Sequence, residues 1–375
     1  MMSGSFVSVT RDVEACTGHL PEYGELLALL AERPGLVVID ADPLSGCSAL
    51  LGAATESVEA TYVTCDARTC LDGVDLAMSI ADAAISRLAP DAEAWWLGSA
   101  PPASTAGLKM TRLLRSVGLD ANALRNGSGP SLRLLAEALD LVVALHAEAG
   151  LVIDHLGPML SSTLADDARG LLGELRAAHQ RHPRLDLVLV EHSGGPMGDA
   201  LVDKGHPMYR AGRILRIRRP LPERFVTDLS NMSAPTRVPS GVLAPAADLA
   251  RGVPALTWRT VALAGDGDVL TAWKRLRWAT EPSTATQWDL LRRIHPQAQP
   301  VVAALGAGLR PHSVVANAKS INDALIRLRG LGAVWQPKDR RWSLSDPLLA
   351  SWVRDSNPSR IAHMRHSGAL GAEST

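Results

Sequence analysis

A glycine, a cysteine and a serine follow the first apolar run of the chain. The run is residues 35–39 (Gly-Leu-Val-Val-Ile), and Gly46, Cys47 and Ser48 open an apolar stretch that is typical of a helix. A strand, a turn and then Gly-x-Ser at the start of a helix is the arrangement of a phosphate-binding loop. In the consensus G-x-x-x-x-G-K-[ST], Gly46 and Ser48 match, whereas Ala41 takes the place of the first glycine and Cys47 that of the lysine.

The two replacements remove chemistry that such a loop needs. The lysine supplies a cation to the β- and γ-phosphates, and the thiol of Cys47 cannot do so. Asp40 and Asp42 add negative charge where the phosphates would lie. Backbone amides at a helix N-terminus can still hold an anion weakly. Gly46, Cys47 and Ser48 are therefore candidate nucleotide-binding residues, either for ATP with magnesium or in a loop that no longer binds it.

A later apolar run ends in an acidic residue. Residues 150–154 read Gly-Leu-Val-Ile-Asp and are followed by His155. This is the form of the second ATPase motif, whose aspartate coordinates magnesium, so Asp154 and Ser48 are the candidate magnesium ligands. The glutamate that polarises the attacking water in such motifs is His155 here. A third run, residues 187–190, leads into Glu-His-Ser-Gly, and the order and spacing of the three runs fit a P-loop ATPase core; the alternative is an α/β domain with unrelated turns.

Five short apolar runs must position these residues. They are rich in Val, Ile and Leu and most lack alternation, as expected of strands buried on both faces: residues 35–39, 60–64, 150–154, 185–190 and 214–217. Amphipathic stretches lie between them, which predicts an α/β fold with a parallel sheet covered by helices. Residues 97–130 are rich in Gly, Pro, Ser and Ala, and this composition indicates an insertion or a mobile loop.

The C-terminal third differs from the rest in charge and in aromatic content. Residues 251–375 contain 17 Lys and Arg against 9 Asp and Glu, whereas the first 250 contain 21 against 30. Seven of the nine tryptophans also lie after residue 250. The shift predicts a domain boundary followed by a basic domain that could bind a polyanion. A solvated basic face is the alternative.

Residues 288–356 fit a helix-turn-helix with a wing. Helices are predicted over 299–305, 311–318 and 320–331, the last capped by Ser320, with a hairpin over 333–344. In such a domain the third helix enters the major groove and the wing touches the DNA backbone. The candidate DNA-binding residues are the basic and amide side chains of that helix and wing: Lys319, Asn322, Arg327, Arg329, Lys338, Arg340 and Arg341.

Composition excludes several classes of protein. Hydrophobic residues make up 46% of the chain and charged residues 21%, which is typical of a soluble globular protein. We expect a cytoplasmic protein without a membrane partner, because no apolar run reaches about 18 residues and no secretory signal is visible. The four cysteines fit neither a metal pattern nor a disulfide framework and are expected to be free thiols.

Several stretches together resemble the archaeal-type ATPases of the AAA/STAND group, which are relatives of the origin-recognition ATPases. The stretches are residues 19–32, 187–210 (ending Gly-His-Pro-Met-Tyr-Arg), 249–254 and 342–352 (Trp-Ser-Leu-Ser-Asp-Pro-Leu-Leu-Ala-Ser-Trp), the last being the most specific. The resemblance implies a P-loop ATPase-like domain over residues 1–219, a helical lid over 220–285 and a winged helix over 286–356. Residues 357–375 are expected to be a disordered tail.

The resemblance also implies roles for single residues. Ser48 and Asp154 would be associated with magnesium, Ser193 would occupy the sensor position, and Arg210 or Arg213 would be an arginine finger or a γ-phosphate sensor. Since Cys47 and His155 replace the lysine and the glutamate, little electrostatic apparatus is left for phosphoryl transfer. Whether Asp154, His155 and Arg210 still take part in catalysis is left open by the sequence.

The sequence favours a DNA-associated, ATPase-like protein with weakened or lost hydrolysis. It would bind DNA through the winged helix and assemble with itself or with an active ATPase partner. One alternative is an active ATP-hydrolysing switch in replication, mobile-element or defence biology. Another is a signalling ATPase whose winged helix binds protein.

Overall fold

The computed structural model describes most of the chain. The described residues are 16–33, 35–98, 104–116, 118–127, 130–162, 165–192, 197, 201, 203–232, 238, 240–265, 267–313, 317–336 and 341–356. Among these, contacts define two compact units. One comprises residues 24–40 and 54–216, and the other comprises residues up to 23, residues 41–53 and residues from 217 onward.

A five-stranded sheet has the order β2-β3-β4-β1-β5. The strands are β1 (Leu36–Ala41), β2 (Tyr62–Asp66), β3 (Gly150–Asp154), β4 (Asp186–His192) and β5 (Arg213–Ile217). β2 pairs with β3, and β3 with β4, in parallel. All five predicted strands are confirmed, and with them the α/β fold with a parallel sheet.

Helices accompany these strands along the chain up to residue 216. They are α1 (Leu20–Glu32), α2 (Cys47–Ser57), α3 (Gly73–Leu88), α4 (Pro90–Trp96), α5 (Thr105–Ser116), α6 (Ala121–Arg125), α7 (Ser131–Leu145), α8 (Leu156–Ser162) and α9 (Ala165–Arg181). The prediction of a loop over residues 97–130 is wrong where α5 and α6 lie. Met110 and Leu114 of α5 are buried in the core, so burial outweighs the loop-like composition of the flanking residues.

The strands are hydrophobic because both faces of the sheet are covered. Every residue of β3 is buried, and so are the first six of β4. Gly150 at the start of β3 allows a close approach, since a Cβ there would lie 2.1 Å from a ring carbon of Tyr62 on β2. The carboxyl ends of β3 and β4 therefore lie side by side, held in register by a tightly packed core.

The second unit is mainly helical in its described part beyond residue 217. Its helices there are α10 (Pro222–Asn231), α11 (Ser240–Leu249), α12 (Pro254–Ala264), α13 (Val269–Ile294), α14 (Ala298–Gly306), α15 (Ala318–Gly330) and α16 (Pro347–Ser356). Two short strands, β6 (Val334–Trp335) and β7 (Ser343–Leu344), form an antiparallel pair between α15 and α16. No helix in the described part of the chain combines the length and the apolar character needed to cross a membrane.

Local details differ from the sequence-based expectations. Asn317, not Ser320, caps α15, and its side chain accepts a hydrogen bond from the backbone N–H of Ser320. Of the second predicted helix, residues 311–318, Pro311–Ser313 form one 3₁₀ turn and Ala318 is the first residue of α15. α13 runs across residue 285, where the lid was predicted to end. The division into lid and winged helix, and the tail beyond residue 356, stay predictions.

Candidate functional site

The phosphate-loop candidates lie where β1 ends and α2 begins. Cys47, in the lysine position, is fully buried, whereas Ser48 is exposed. Gly46 has φ +88°, a conformation that favours glycine, and a Cβ there would lie 3.0 Å from Cγ of Pro254. The loop therefore carries no cation at position 47, and its glycine packs against the first residue of α12.

The two aspartates of this loop are each compensated by arginine. Asp42 accepts hydrogen bonds from Nη1 of Arg218 at 3.0 Å and from the backbone N–H of Arg219 at 2.9 Å. In the other unit, Oδ2 of Asp40 lies 3.8 Å from Nε of Arg216. The negative charge that the sequence places beside the phosphates is thus offset by arginines in or just after β5. In the second unit, the carboxylate of Asp42 fixes the loop to the segment that follows β5.

Arg219 extends this contact to the C-terminal hairpin. Its Nη2 donates to the carbonyl oxygen of Pro43 at 2.6 Å and to that of Ser345 at 3.0 Å. The guanidinium carbon lies 4.7 Å from the ring centroid of Trp335. Burial lowers the pKa of Arg219 to about 10, so the side chain stays charged at neutral pH. Through these three contacts, the guanidinium of Arg219 connects the loop after β1 to the C-terminal hairpin.

Two buried polar atoms near the loop have no partner in the described part of the chain. They are Oγ of Ser45 and Nδ1 of His19. The other ring nitrogen of His19 donates to the carbonyl oxygen of Ser45 at 2.6 Å. Burial lowers the pKa of His19, although the hydrogen bond to Ser45 acts in the opposite direction. Unsatisfied buried groups are costly, so this is a place where a ligand or water would gain contacts.

The second-motif candidate Asp154 lies at the carboxyl end of β3, in the unit that carries the sheet. Its Oδ1 accepts hydrogen bonds from the backbone N–H of His155 at 2.8 Å and from Nε2 of His192 at 2.7 Å. Its Oδ2 lies 3.3 Å from Nδ1 of His155. The two imidazoles stack with centroids 4.2 Å apart and planes inclined by 19°. One buried carboxylate is therefore held between two histidines from neighbouring strand ends.

The electrostatics of this cluster favour an ionised carboxylate. Burial by itself would raise the pKa of Asp154, but hydrogen bonds with His155 and His192 and their charges outweigh it and hold that pKa well below its usual range. His155 adopts φ +61°, a conformation that few residues other than glycine take up. The strained backbone turns its imidazole towards Asp154 and Asp66.

Three members of the cluster were not among the candidates from sequence: His192, Asp66 and Arg68. Oδ1 of Asp66, at the end of β2, lies 3.4 Å from Nδ1 of His155. Nη2 of Arg68 lies 3.1 Å from Nε2 of His155. The carboxyl ends of β2, β3 and β4 bring these residues together. Their position directly at the ends of predicted strands was the signal that could have found them.

Magnesium binding by Asp154 does not fit this arrangement. Magnesium requires oxygen ligands in near-octahedral geometry and retains several waters. Both carboxylate oxygens of Asp154 face histidine nitrogens. Ser48 and Asp154 belong to different units. Asp154, His155 and His192 are the residues here that could hold a metal.

The remaining candidates for nucleotide chemistry lie elsewhere. Ser193 falls outside the described residues. The guanidinium of Arg210 lies 5.2 Å from the ring centroid of Tyr209, and Arg213 forms an ion pair with Glu32 at 2.7 Å. Both carboxylate and guanidinium of that pair are 58% exposed, so Arg213 is engaged at the surface of its own unit.

The DNA candidates are partly described. Lys319, Asn322 and Arg327 are exposed on α15, and Arg329 on the same helix is half-buried. Arg341 is exposed and, with Arg251, Arg310 and Arg354, lines a cavity of about 440 Å³ whose described lining residues include no acidic side chain. Lys338 and Arg340 lie outside the described residues. Among the described residues, exposed basic side chains thus lie on α15 and at the cavity.

No protein-family model and no curated protein matches this chain. Among solved structures, it is similar to a Walker-type ATPase of Pyrococcus abyssi with a TM-score of 0.60 at 18% identity, over 89% of this chain and 95% of that one. The ORC2 protein of Aeropyrum pernix, in ADPNP–ADP complexes, gives a TM-score of 0.48 at 15% identity, over 98% of this chain and 96% of that one. The first of these likenesses shows that the chain has the fold of a Walker-type P-loop ATPase; the second is too weak to add to it.

Proposed function

We propose that this chain is a DNA-associated protein on the Walker-type ATPase fold, with ATP hydrolysis weakened or lost, that assembles with itself or with an active ATPase. The observation that carries the proposal is the burial of Cys47 at the position of the loop lysine. The residue in the lysine position is a fully buried cysteine, whose side chain supplies no cation. A loop of this kind holds phosphate through backbone amides and one lysine, and only the amides remain.

The Asp154 cluster supports the loss of hydrolysis. In phosphoryl transfer, charge on the transferred group is offset by magnesium and by a positioned base or water. Here the aspartate of the second motif is occupied by His155 and His192. The glutamate position is His155, whose ring is stacked on His192. The chain would then use the fold as a platform rather than as a catalyst.

The C-terminal elements support DNA binding. The order α14, a 3₁₀ turn, α15, an antiparallel hairpin and α16 is the order of a winged helix. A single buried cluster joins these elements, with Val302, Leu325, Leu344 and Val353 among its members. Lys319, Asn322 and Arg327 are exposed on α15, the helix that would enter the major groove. Arg341 lies at the hairpin, where a wing contacts phosphates.

A calorimetric titration of the full chain with magnesium-ATP, and with ADP for comparison, tests the first half of the proposal. We expect no binding, or binding only near millimolar nucleotide, and no phosphate release. Micromolar ATP affinity with turnover would overturn the loss of hydrolysis. Fluorescence anisotropy with labelled duplex DNA tests the second half, and the expected result is binding that weakens steeply as salt rises.

An active ATP-hydrolysing switch is the second candidate function. The unpartnered Oγ of Ser45 and Nδ1 of His19 favour it, because a bound nucleotide or its water shell would satisfy buried groups beside the loop. Replacing Asp154 by Ala separates the two functions. Turnover that falls to background in Asp154→Ala while DNA binding persists supports the switch, whereas absence of turnover in the unaltered chain supports the platform.

A third function, protein binding by the C-terminal domain, makes a different prediction. Removing charge at Lys338, Arg340 and Arg341 together would leave DNA retention unchanged if this domain binds protein. Retention that falls several-fold at one fixed salt concentration supports DNA binding instead.

A further inference from the structure

We propose that Asp154, His155 and His192 form a binding site for a divalent transition metal ion of the zinc or cobalt class. In the part of the chain that the structure describes, this is the one group of three or more His, Cys, Asp or Glu side chains placed to share an ion. One potential ligand atom from each of the three residues lies within 4.8 Å of the others. The site lies wholly in the unit that carries the sheet, so it does not depend on whether the phosphate loop binds nucleotide.

One of the two distances between the carboxylate and the imidazoles matches what a small metal ion requires. Two ligand atoms that each lie about 2.0–2.1 Å from a tetrahedral zinc are about 3.4 Å apart. Oδ2 of Asp154 and Nδ1 of His155 are separated by 3.3 Å. Nε2 of His192 is closer to Oδ1 of Asp154, at 2.7 Å, because a proton lies between them. Because the two rings stack with planes inclined by only 19°, exchange of that proton for a metal ion also requires one imidazole to turn out of the stack, so that both ring nitrogens face the ion.

The donor set selects the class of ion. Two imidazole nitrogens and one carboxylate suit zinc, cobalt, nickel or iron, whereas magnesium prefers oxygen alone. An aspartate carboxylate is ordinarily ionised at neutral pH and so can bind a cation without first losing a proton. Its side chain is 7% exposed and those of His192 and His155 are 13% and 17% exposed, so the site is shielded but reachable from solvent. A fourth position is open to water or to Asp66, whose Oδ1 lies 3.4 Å from Nδ1 of His155.

Arg68 opposes metal binding in the present arrangement. Its guanidinium can only donate, so Nε2 of His155, at 3.1 Å, accepts and Nδ1 carries the ring proton. A metal on Nδ1 requires the proton to move to Nε2, and Arg68 must then release the ring. The Arg68 side chain is 61% exposed and can turn into solvent. Removing its guanidinium should therefore strengthen metal binding, which a purely structural role of the cluster would not predict.

Metal titration of the untagged full chain tests the proposal. After removal of metal by chelation, Zn²⁺ is added in a calorimeter and Co²⁺ in a spectrophotometer. We expect one equivalent of tightly bound Zn²⁺, a visible absorption band of low-coordinate Co²⁺ and no displacement of either ion by a large excess of Mg²⁺. Absence of stoichiometric binding, or displacement by Mg²⁺, would overturn the proposal.

Variants assign the site to these residues. His192→Asn and His155→Gln should each weaken Zn²⁺ binding at least about tenfold, as loss of a supporting group around a metal already does. His182→Asn is the matched control, because Nε2 of His182 bonds Oδ1 of Asp140 at the same 2.7 Å outside the cluster. Equal affinity in all three variants would refute the assignment. Arg68→Gln should tighten binding several-fold, a gain that misfolding cannot produce, and unchanged or weaker binding in this variant would count against the site.

Discussion

The imidazole of His192 donates to the carboxylate of Asp154 across 2.7 Å and so joins the carboxyl ends of β4 and β3. At that edge of a parallel sheet, side chains from neighbouring strands meet. In this chain the meeting point holds one buried acid and two stacked imidazoles. Its stability, its response to pH and its metal affinity can all be measured.

Replacing Asp154 by Asn should lower the free energy of unfolding by about 1.5–3 kcal/mol at pH 7, the range for hydrogen bonds to a charged group. Urea denaturation followed by circular dichroism measures the change. Asp140→Asn is the control, because Asp140 bonds His182 at the same distance but its side chain is 37% exposed. We expect a loss of about 0–1 kcal/mol there. Equal losses of unfolding free energy in both variants would show that the burial of Asp154 adds nothing to the strength of its hydrogen bond.

The difference in the free energy of unfolding between the unaltered chain and Asp154→Asn should depend on pH. The folded-state pKa of Asp154 lies below its reference of 3.8, so its contribution is fully present above that value and is lost as pH falls towards the folded-state pKa. Denaturation series at pH values above and below about 4 test this. A difference that grows on acidification would mean that the carboxyl is protonated in the folded state.

Replacing Gly46 by Ala should destabilise the chain by about 1–3 kcal/mol through its left-handed backbone. The φ of +88° and a Cβ placed 3.0 Å from Pro254 both oppose a side chain. Gly52 in α2, the helix that directly follows Gly46, offers a control, since a Cβ there meets nothing within 4 Å. Gly52→Ala should stabilise the helix by about 0.5–1 kcal/mol. Thermal unfolding of the two variants should shift in opposite directions.

The four cysteines should resist thiol reagents in the folded protein. All four are buried thiols outside any disulfide, and burial raises the pKa of Cys65 to about 12 and that of Cys70 to about 11. Since the thiolate is the reactive form, Ellman's reagent should modify them only slowly at pH 8 and all four at once in denaturant. Rapid reaction of one thiol without denaturant would locate an opening of the fold, and mass spectrometry would identify it.

Lys319→Ala and Arg341→Ala should each reduce the steepness with which DNA affinity falls as salt rises. Each phosphate contact contributes about one unit to the logarithmic slope. Arg292→Ala is the control on α13, because Arg292 is an exposed arginine whose Nη2 lies 3.6 Å from Asp289. Anisotropy titrations at several salt concentrations give the slopes. An unchanged slope in Lys319→Ala would place α15 away from the DNA.

Much of the fold follows from the sequence because the sheet is buried on both faces. Unbroken apolar runs such as residues 150–153 and 187–190 are typical of strands that are covered on both faces, and both lie within strands. Residues 105–116 were misjudged, because the Gly- and Pro-rich flanks give no sign that Met110 and Leu114 reach the core.

The site was only partly predictable for a related reason. Asp154 and His155 stand at the end of a recognisable strand, but the sequence does not state that β4 is the neighbour of β3, which is what brings His192 to Asp154. The sequence likewise does not indicate that Arg218, a residue far along the chain, forms an ion pair with Asp42 and offsets its negative charge. Contacts between distant segments decide the chemistry in both cases.

The guanidinium of Arg219 bonds Pro43 in the loop after β1 and Ser345 in the C-terminal hairpin. A ligand that displaces either segment must break its hydrogen bond with Arg219 or move Arg219 together with that segment. Any coupling that results is thermodynamically reciprocal: if an anion on the loop changes affinity at the hairpin by some factor, a ligand on the hairpin changes anion affinity by the same factor. Under the proposed function, a chain with weakened or lost hydrolysis would in this way still sense nucleotide, with one arginine as the shared element of two equilibria.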